Sequence, residues 1–220
     1  MEPPIAPALL ECLEAAHRMR LEGRSVSPGG LGKRLGLGEP ALSEKLLALQ
    51  GLGLVELRLP ERVALTAEGE RVAVGLIRKH RLLERFCADV LGLAWEEVHE
   101  EACRLTPACS DRVGEALAKL LGEPAVCPHG NPIPSADGTL RVEPAVPLSQ
   151  LRPGQAGVIV RIEREEPALL KHLASLGLLP RTRVEVEEVA PLRGPVLIRL
   201  GAARYALGRK VAAKILVREA

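Results

Sequence analysis

The sequence predicts a mostly α chain that ends in a small β domain, and three observations support this. Apolar residues recur at helical spacing through most of residues 5–121, a strand pair interrupts them near residue 60, and from Leu148 onward the period shortens to two. The expected organisation is a winged helix-turn-helix over 1–74, a helical block over 75–141 and a small barrel of short strands over 142–220.

The elements follow in order. Ile5, Leu9, Leu10, Leu13, Ala16 and Met19 form the stripe of a first helix, closed by Gly23. Ser27–Leu35 is a weaker helix, because Gly29, Gly30 and Gly32 each cost about 1 kcal/mol relative to alanine. After the turn Gly36-Leu37-Gly38, Pro40 opens a helix through Leu42, Leu46, Leu47 and Leu49 to Gly51. Val55–Leu59 and Arg62–Leu65 flank Pro60-Glu61 as a hairpin, completing the outline of a winged helix-turn-helix. Thr66 can cap the next helix, which carries Glu68 and Glu70 in its first turn and runs to about Leu91. A second helix of the block spans Trp95 to about Leu105, where Pro107 interrupts it. A third, capped by Ser110-Asp111, runs through Val113, Leu117, Leu120 and Leu121. The apolar surplus of this block reads either as a dimer contact or as packing on the neighbouring domains. Residues 122–147, rich in Pro and Gly, form a connector. Beyond it Val158, Val160 and Ile162 alternate, as do Val184 and Val186, and Val196, Ile198 and Leu200. One short helix, Ala168–Leu176, lies between them.

Composition removes several classes of function. A charged fraction of 26% excludes a disordered chain, and no apolar run approaches the ~18 residues of a membrane span. Met1–Leu10 lacks the cationic region of a secretory signal, so a cytoplasmic protein is expected. Five scattered cysteines then read as reduced thiols or metal ligands. Three aromatics are too few for a single-strand nucleic-acid platform. No phosphate loop, nucleophile elbow or His-Glu-x-x-His motif is present, so no enzyme is expected. The net charge of +2 divides unevenly: −1 over 1–74, −2 over 75–141 and +5 over 142–220.

Metal-ligand residue types concentrate in the middle of the chain. His80 and Glu84 are four apart on one helix, His99 and Cys103 four apart on the next, and the connector adds Cys127-Pro128-His129. Glu11 and Glu14 are three apart on the first helix. Imidazole, thiolate and carboxylate together suit transition metals better than calcium or magnesium. A single i, i+4 pair is commonly a surface hydrogen bond; several pairs in consecutive segments favour a metal site over coincidence.

These residues carry a resemblance to the diphtheria toxin repressor family of iron- and manganese-dependent transcriptional regulators. It rests on Arg78-Lys79-His80-Arg81-Leu82-Leu83-Glu84-Arg85, Val98-His99-Glu100-Glu101-Ala102-Cys103-Arg104, Ser110-Asp111 and Cys127-Pro128-His129-Gly130-Asn131-Pro132-Ile133-Pro134. The tail resembles that family's SH3-like domain, similar to the ferrous-transport accessory protein FeoA, through Leu176-Gly177-Leu178, Gly194-Pro195, Ala206-Leu207-Gly208 and Ala212-Ala213-Lys214-Ile215. The resemblance implies a metal-dependent homodimeric repressor on double-stranded operator DNA, controlling metal-homeostasis genes with Fe²⁺ or Mn²⁺, or Zn²⁺ or Co²⁺ in vitro. It also implies two metal sites. For the second, favoured site the matching residues are His80, Glu84, His99, Cys127, His129 and Glu166, with Leu169 where some members have a glutamine. For the first, Glu11, Glu14 and Cys103 match, but Thr106 and Pro107 stand where the family expects Glu and His, so the set is incomplete. Cys12 and Cys109 are replacement thiols by residue type alone.

The DNA-facing residues expected from the outline are Arg34, Pro40, Ala41, Ser43, Glu44, Lys45, Arg58 and Arg62. Glu44 stands where an amide is usual and repels phosphate, though it can accept from a cytosine amino group. Weak intrinsic DNA affinity, compensated by dimerisation, follows; the alternative is a head that has become a protein-interaction module. Two further alternatives are a metal-independent or thiol-sensing regulator of the same architecture, acting through Cys103 and Cys109, and a metal-transport accessory protein acting through the tail.

Overall fold

The computed structural model describes residues 5–21, 23–58, 62–163, 165–192 and 194–219. They divide into two compact units. One comprises 1–80, 106–113 and 134–139; the other comprises 81–105, 114–133 and 140–220.

The first unit opens with three short helices, α1 (Pro7–Leu21), α2 (Pro28–Leu35) and α3 (Glu39–Gly51). α2 forms despite its glycines because its ends are well satisfied. Ser27 accepts the Gly30 amide at the N-cap, Pro28 occupies the first turn, and Gly36 closes the helix at φ 67°. Cys12, Leu13, Ala16 and Met19 of α1, Leu31 of α2, and Leu42, Leu46 and Leu49 of α3 meet in one core. The wing, β1 (Val55–Arg58) and β2 (Arg62–Leu65), is antiparallel with Arg58 opposite Arg62, and it buries Val55 and Val63 in the same core. The expected turn residues Pro60 and Glu61, with Leu59, lie outside the described residues.

Thr66 caps α4 (Ala67–Asp89) as expected: its hydroxyl accepts the Gly69 amide at 3.0 Å and donates to the Gly53 carbonyl at 2.7 Å. A side chain at Gly69 would meet the Leu54 carbonyl oxygen at 1.9 Å, so this close approach requires glycine. His17 and Arg20 of α1 both reach Glu70 of α4, at 2.9 and 2.6 Å.

In the helical block, α5 (Val98–Leu105) starts three residues later than expected; Trp95 sits in the preceding turn. Pro107 ends that helix, and Thr106–Ala108 form a single 3₁₀ turn before α6 (Asp111–Leu120).

The second unit contains β3 (Val146–Pro147), β4 (Ala156–Ile162), α7 (Pro167–Ser175), β5 (Arg183–Val189), β6 (Val196–Leu200), β7 (Ala203–Leu207), α8 (Arg209–Ala212) and β8 (Ile215–Glu219). The six strands form one antiparallel sheet in the order β3-β8-β4-β5-β6-β7. The expected small barrel is therefore corrected to an open SH3-like sheet: β3 and β7 are its two ends and do not pair with each other. Ile159, Ile162, Val184, Val186, Val196, Ile198, Ile215 and Val217 face α7's Leu170 and Leu173 in a fully buried core. This core explains Leu169, which packs into it. β4 carries a bulge between Ile159 and Arg161. The connector, expected to hold no element, docks against that bulge. The Ile162 amide donates to the His129 carbonyl at 3.0 Å, and Gly130, at φ +84°, lies so close that a Cβ would meet the Val160 oxygen at 1.9 Å.

Candidate metal centre

The connector turn is built around residues 126–132. Val126 bridges to Pro132, the Cys127 amide donates to the Asn131 carbonyl at 2.8 Å, and the Gly130 amide donates to the Cys127 carbonyl at 2.9 Å. This turn points Cys127 and His129 the same way, both buried. Trp95 secures it from α5's leading turn: its indole N–H donates to the Pro128 carbonyl at 2.9 Å, and its ring meets that of His129 edge-on at 4.8 Å.

Against this turn come two carboxylates. Glu84 arrives from α4 with a fully buried side chain; Glu165 arrives from the link between β4 and α7, also buried. One ligand atom from each of Glu84, Cys127, His129 and Glu165 lies within 4.8 Å of the others. His99 of α5 joins the carboxylates, its Nδ1 2.9 Å from Glu84 Oε1 and 3.2 Å from Glu165 Oε2. Its Nε2 lies 3.7 Å from Cys103 Sγ. Asn131 holds Glu165 in place, its amide donating to Glu165 Oε1 at 2.5 Å and to the Ile162 carbonyl at 3.2 Å.

The protonation pattern fits a cation. His129 Nε2 lies 3.0 Å from the Trp95 carbonyl, which can only accept, so that nitrogen carries the proton. Nδ1 then faces Glu84 at 3.4 Å and Glu165 at 3.7 Å with no well-formed hydrogen bond among the described residues. A buried lone pair facing buried carboxylates is a place for positive charge, supplied by a proton on Nδ1 or by a metal ion. Burial opposes the charged form of His99, but hydrogen bonds to Cys103, Glu165 and Glu84 outweigh it and push its pKa up to about 12. Burial likewise opposes charged His129, and Glu84 reverses the balance and raises it. Burial, reinforced by Glu84 and Glu165, drives the Cys127 thiol well above its ordinary range. All three responses are those of a cation-deficient, carboxylate-rich site. Imidazole, thiolate and carboxylate donors fit Mn²⁺, Fe²⁺, Co²⁺ or Zn²⁺.

Of the second-site residues expected from sequence, Glu84, His99, Cys127 and His129 converge here. Glu166 does not: its side chain is exposed and pairs with Lys214 at 3.1 Å, and the preceding residue, Glu165, supplies the carboxylate. His80 stands one turn before Glu84 on α4 and is also buried, its Nδ1 3.3 Å from Thr106 Oγ1. Sequence reasoning missed Glu165, Asn131 and Trp95. The adjacent Glu165-Glu166 pair was a visible signal, but only the course of the link into α7, where Glu166 is the N-cap residue, decides which of the two turns inward.

The first-site residues fall in both units. Glu11 and Glu14 lie on α1, Glu11 exposed and Glu14 paired with Arg18 at 2.7 Å. Cys103 lies exposed on α5, whereas Cys12 and Cys109 are buried thiols whose ionisation burial opposes. On the head, Pro40, Ala41, Ser43 and Glu44 are exposed along α3, with Lys45 half-buried beside them. Arg34 is half-buried on α2, and Arg58 and Arg62 are exposed on the wing.

Comparison with known proteins gives the chain's relatives. Residues 66–135 match the family described as "Iron dependent repressor, metal binding and dimerisation domain", and residues 146–219 match the FeoA domain. The chain is 33% identical over 206 residues to the iron-dependent repressor IdeR of Mycobacterium leprae (strain TN), covering 87% of this chain and 89% of that one. It is 34% identical over 137 residues to the diphtheria toxin repressor of Corynebacterium diphtheriae, covering 61% of each. A solved structure titled "Manganese-dependent transcriptional repressor complex with manganese" is similar with a TM-score of 0.87 at 33% identity, over 96% of this chain and 100% of that one.

Proposed function

Because the chain belongs to the family of iron-dependent repressors that includes the diphtheria toxin repressor, we propose that it is a metal-dependent transcriptional repressor controlling metal-homeostasis genes. The convergence of buried Glu84, Cys127, His129 and Glu165 carries this reading. A bound divalent transition ion supplies the positive charge that two buried carboxylates and a thiolate require. Glu84 belongs to α4, His99 to α5, Cys127 and His129 to the connector turn, and Glu165 to the link between β4 and α7. Holding these donors together ties four segments into one arrangement, which is the state that favours DNA. His80 is retained as a further donor on its helical spacing to Glu84. Glu11, Glu14 and Cys103 are retained as an incomplete first site.

The protein acts by binding, as a cytoplasmic homodimer on double-stranded DNA. Its proposed parts are the head over 1–74, the metal-binding and dimerisation block over 75–141 and the SH3-like tail over 142–220. Arg34, Pro40, Ala41, Ser43, Glu44, Lys45, Arg58 and Arg62 face the operator. The paired Arg58 and Arg62 of the wing supply charge for phosphates; the acidic α3 surface does not. To test this, metal-free protein under reducing conditions is titrated with Mn²⁺ or Fe²⁺ against labelled DNA from upstream of its own gene. Binding that appears with metal and disappears with chelator is expected; no DNA binding under any condition would overturn the reading.

A further inference from the structure

In the head, α3 divides into two faces. Leu42, Leu46 and Leu49 are buried in the core shared with α1 and α2. At about 3.6 residues per turn the opposite ridge consists of Pro40, Glu44, Leu47 and Gly51, flanked by Ala41 and Ala48, and all six are exposed. Glu44 is the one residue of that ridge whose side chain can make a hydrogen bond. Ser43 and Gln50 sit lower, on one side of it. Lys45, the one basic residue of α3, is half-buried, and its charge acts on the Cys12 thiol of α1. The turn Gly36-Leu37-Gly38 sets the ridge outward: Gly36 ends α2 at φ 67°, and α3 restarts directly after Gly38. In a helix-turn-helix, a second helix presented in this way enters the major groove.

An ionised carboxylate only accepts hydrogen bonds, so at a base edge it must meet a donor. Guanine O6 and N7 and thymine O4 are acceptors; the donors of the major groove are the amino groups of cytosine and adenine. Adenine sets its N7 acceptor beside that amino group, where it opposes the second carboxylate oxygen, whereas cytosine carries a C–H there. The ridge also lacks any Arg or Lys, so the commonest contact to guanine is missing from it. We propose that Glu44 is a specificity-determining residue through which each head reads one cytosine by its amino group and rejects guanine or thymine at the same position. The same charge repels phosphate and lowers affinity for random duplex DNA. Glu44 thus widens the gap between matching and wrong sequences by penalising the wrong ones.

This inference rests on the repressor reading above, and its test separates the two. Full-length Mn²⁺-loaded protein, as wild type, Glu44→Ala and Glu44→Gln, selects from a library of random-sequence duplexes, and the enriched sites are sequenced. Wild type is expected to enrich a site with one fixed cytosine in each half. Glu44→Ala should lose the preference at that position alone. Glu44→Gln should shift it to adenine, whose N6 and N7 an amide meets together. On the wild-type site, replacing that cytosine–guanine pair with thymine–adenine should weaken wild-type binding by about 10–100-fold in fluorescence anisotropy. The same replacement should leave Glu44→Ala almost indifferent. Should Glu44→Ala fail to fold, as judged by circular dichroism, the isosteric Glu44→Gln decides alone. A cytosine preference that survives in both variants, or a wild-type site with no fixed cytosine, overturns the role of Glu44 and leaves the repressor reading standing. Enrichment of no sequence, with or without metal, overturns both.

Discussion

His129 shows how single atoms set this centre. The Trp95 carbonyl fixes its Nε2 as the protonated nitrogen and so turns Nδ1 toward Glu84 and Glu165. Asn131 performs the matching task for Glu165. Replacing Asn131 with Ala is therefore expected to weaken Mn²⁺ or Co²⁺ binding by about 10–100-fold without removing a ligand, as read by isothermal titration. The cysteines are sorted by burial. Burial raises the Cys12 thiol to about 11, while Cys103 is exposed. A thiol-specific reagent at pH 7.5 should modify Cys103 in the native protein and leave Cys12 and Cys127 until unfolding, as mass spectrometry would show. The sign for stability follows: the fold favours the neutral Cys12 thiol, so this contribution is full below the ordinary thiol pKa and is lost as pH rises through about 11. At this scale the sequence exposed the chemistry better than the geometry. Residue types and the Cys-Pro-His spacing pointed to Glu84, His99, Cys127 and His129. They could not choose between Glu165 and Glu166, since adjacent residues in the link before α7 point in different directions.

Among elements, the helices were legible because periodicity, caps and glycine stops agree with one another, as at Ser27, Pro28 and Gly36 around α2. The connector was not, because its turn is held by backbone hydrogen bonds and by docking on the bulge of β4, neither of which leaves a periodic trace. The expected barrel failed for a related reason: alternation identifies strands but not whether the two end strands meet. Gly130 carries the consequence. Gly130→Ala would place a methyl against the Val160 carbonyl and is expected to cost about 1–3 kcal/mol from overpacking alone, measured by urea unfolding, together with loss of metal affinity. Gly154→Ala is the control, with a similar φ of +85° but open space around it, and should leave metal binding intact. Thr66→Ala removes the cap of α4 and should cost about 1 kcal/mol.

For the whole molecule, the charge is distributed against a simple DNA-binding account: residues 1–74 carry net −1 and residues 142–220 carry +5. On the proposed reading, operator affinity comes from dimer geometry and metal more than from raw attraction of the head to phosphate. Linkage gives a second expectation. Metal at about 100 times its Kd should stabilise the protein by about 2.7 kcal/mol, seen as a rise in Tm that chelator reverses. Whether the buried centre is the switch is decided by fluorescence anisotropy of operator DNA as Mn²⁺ is added to wild type and Cys127→Ser side by side. Wild type should bind only with metal and release on chelation, while Cys127→Ser should need about 100-fold more metal or fail to respond. Wild-type binding indifferent to chelator, or a Cys127→Ser response matching wild type, would contradict it.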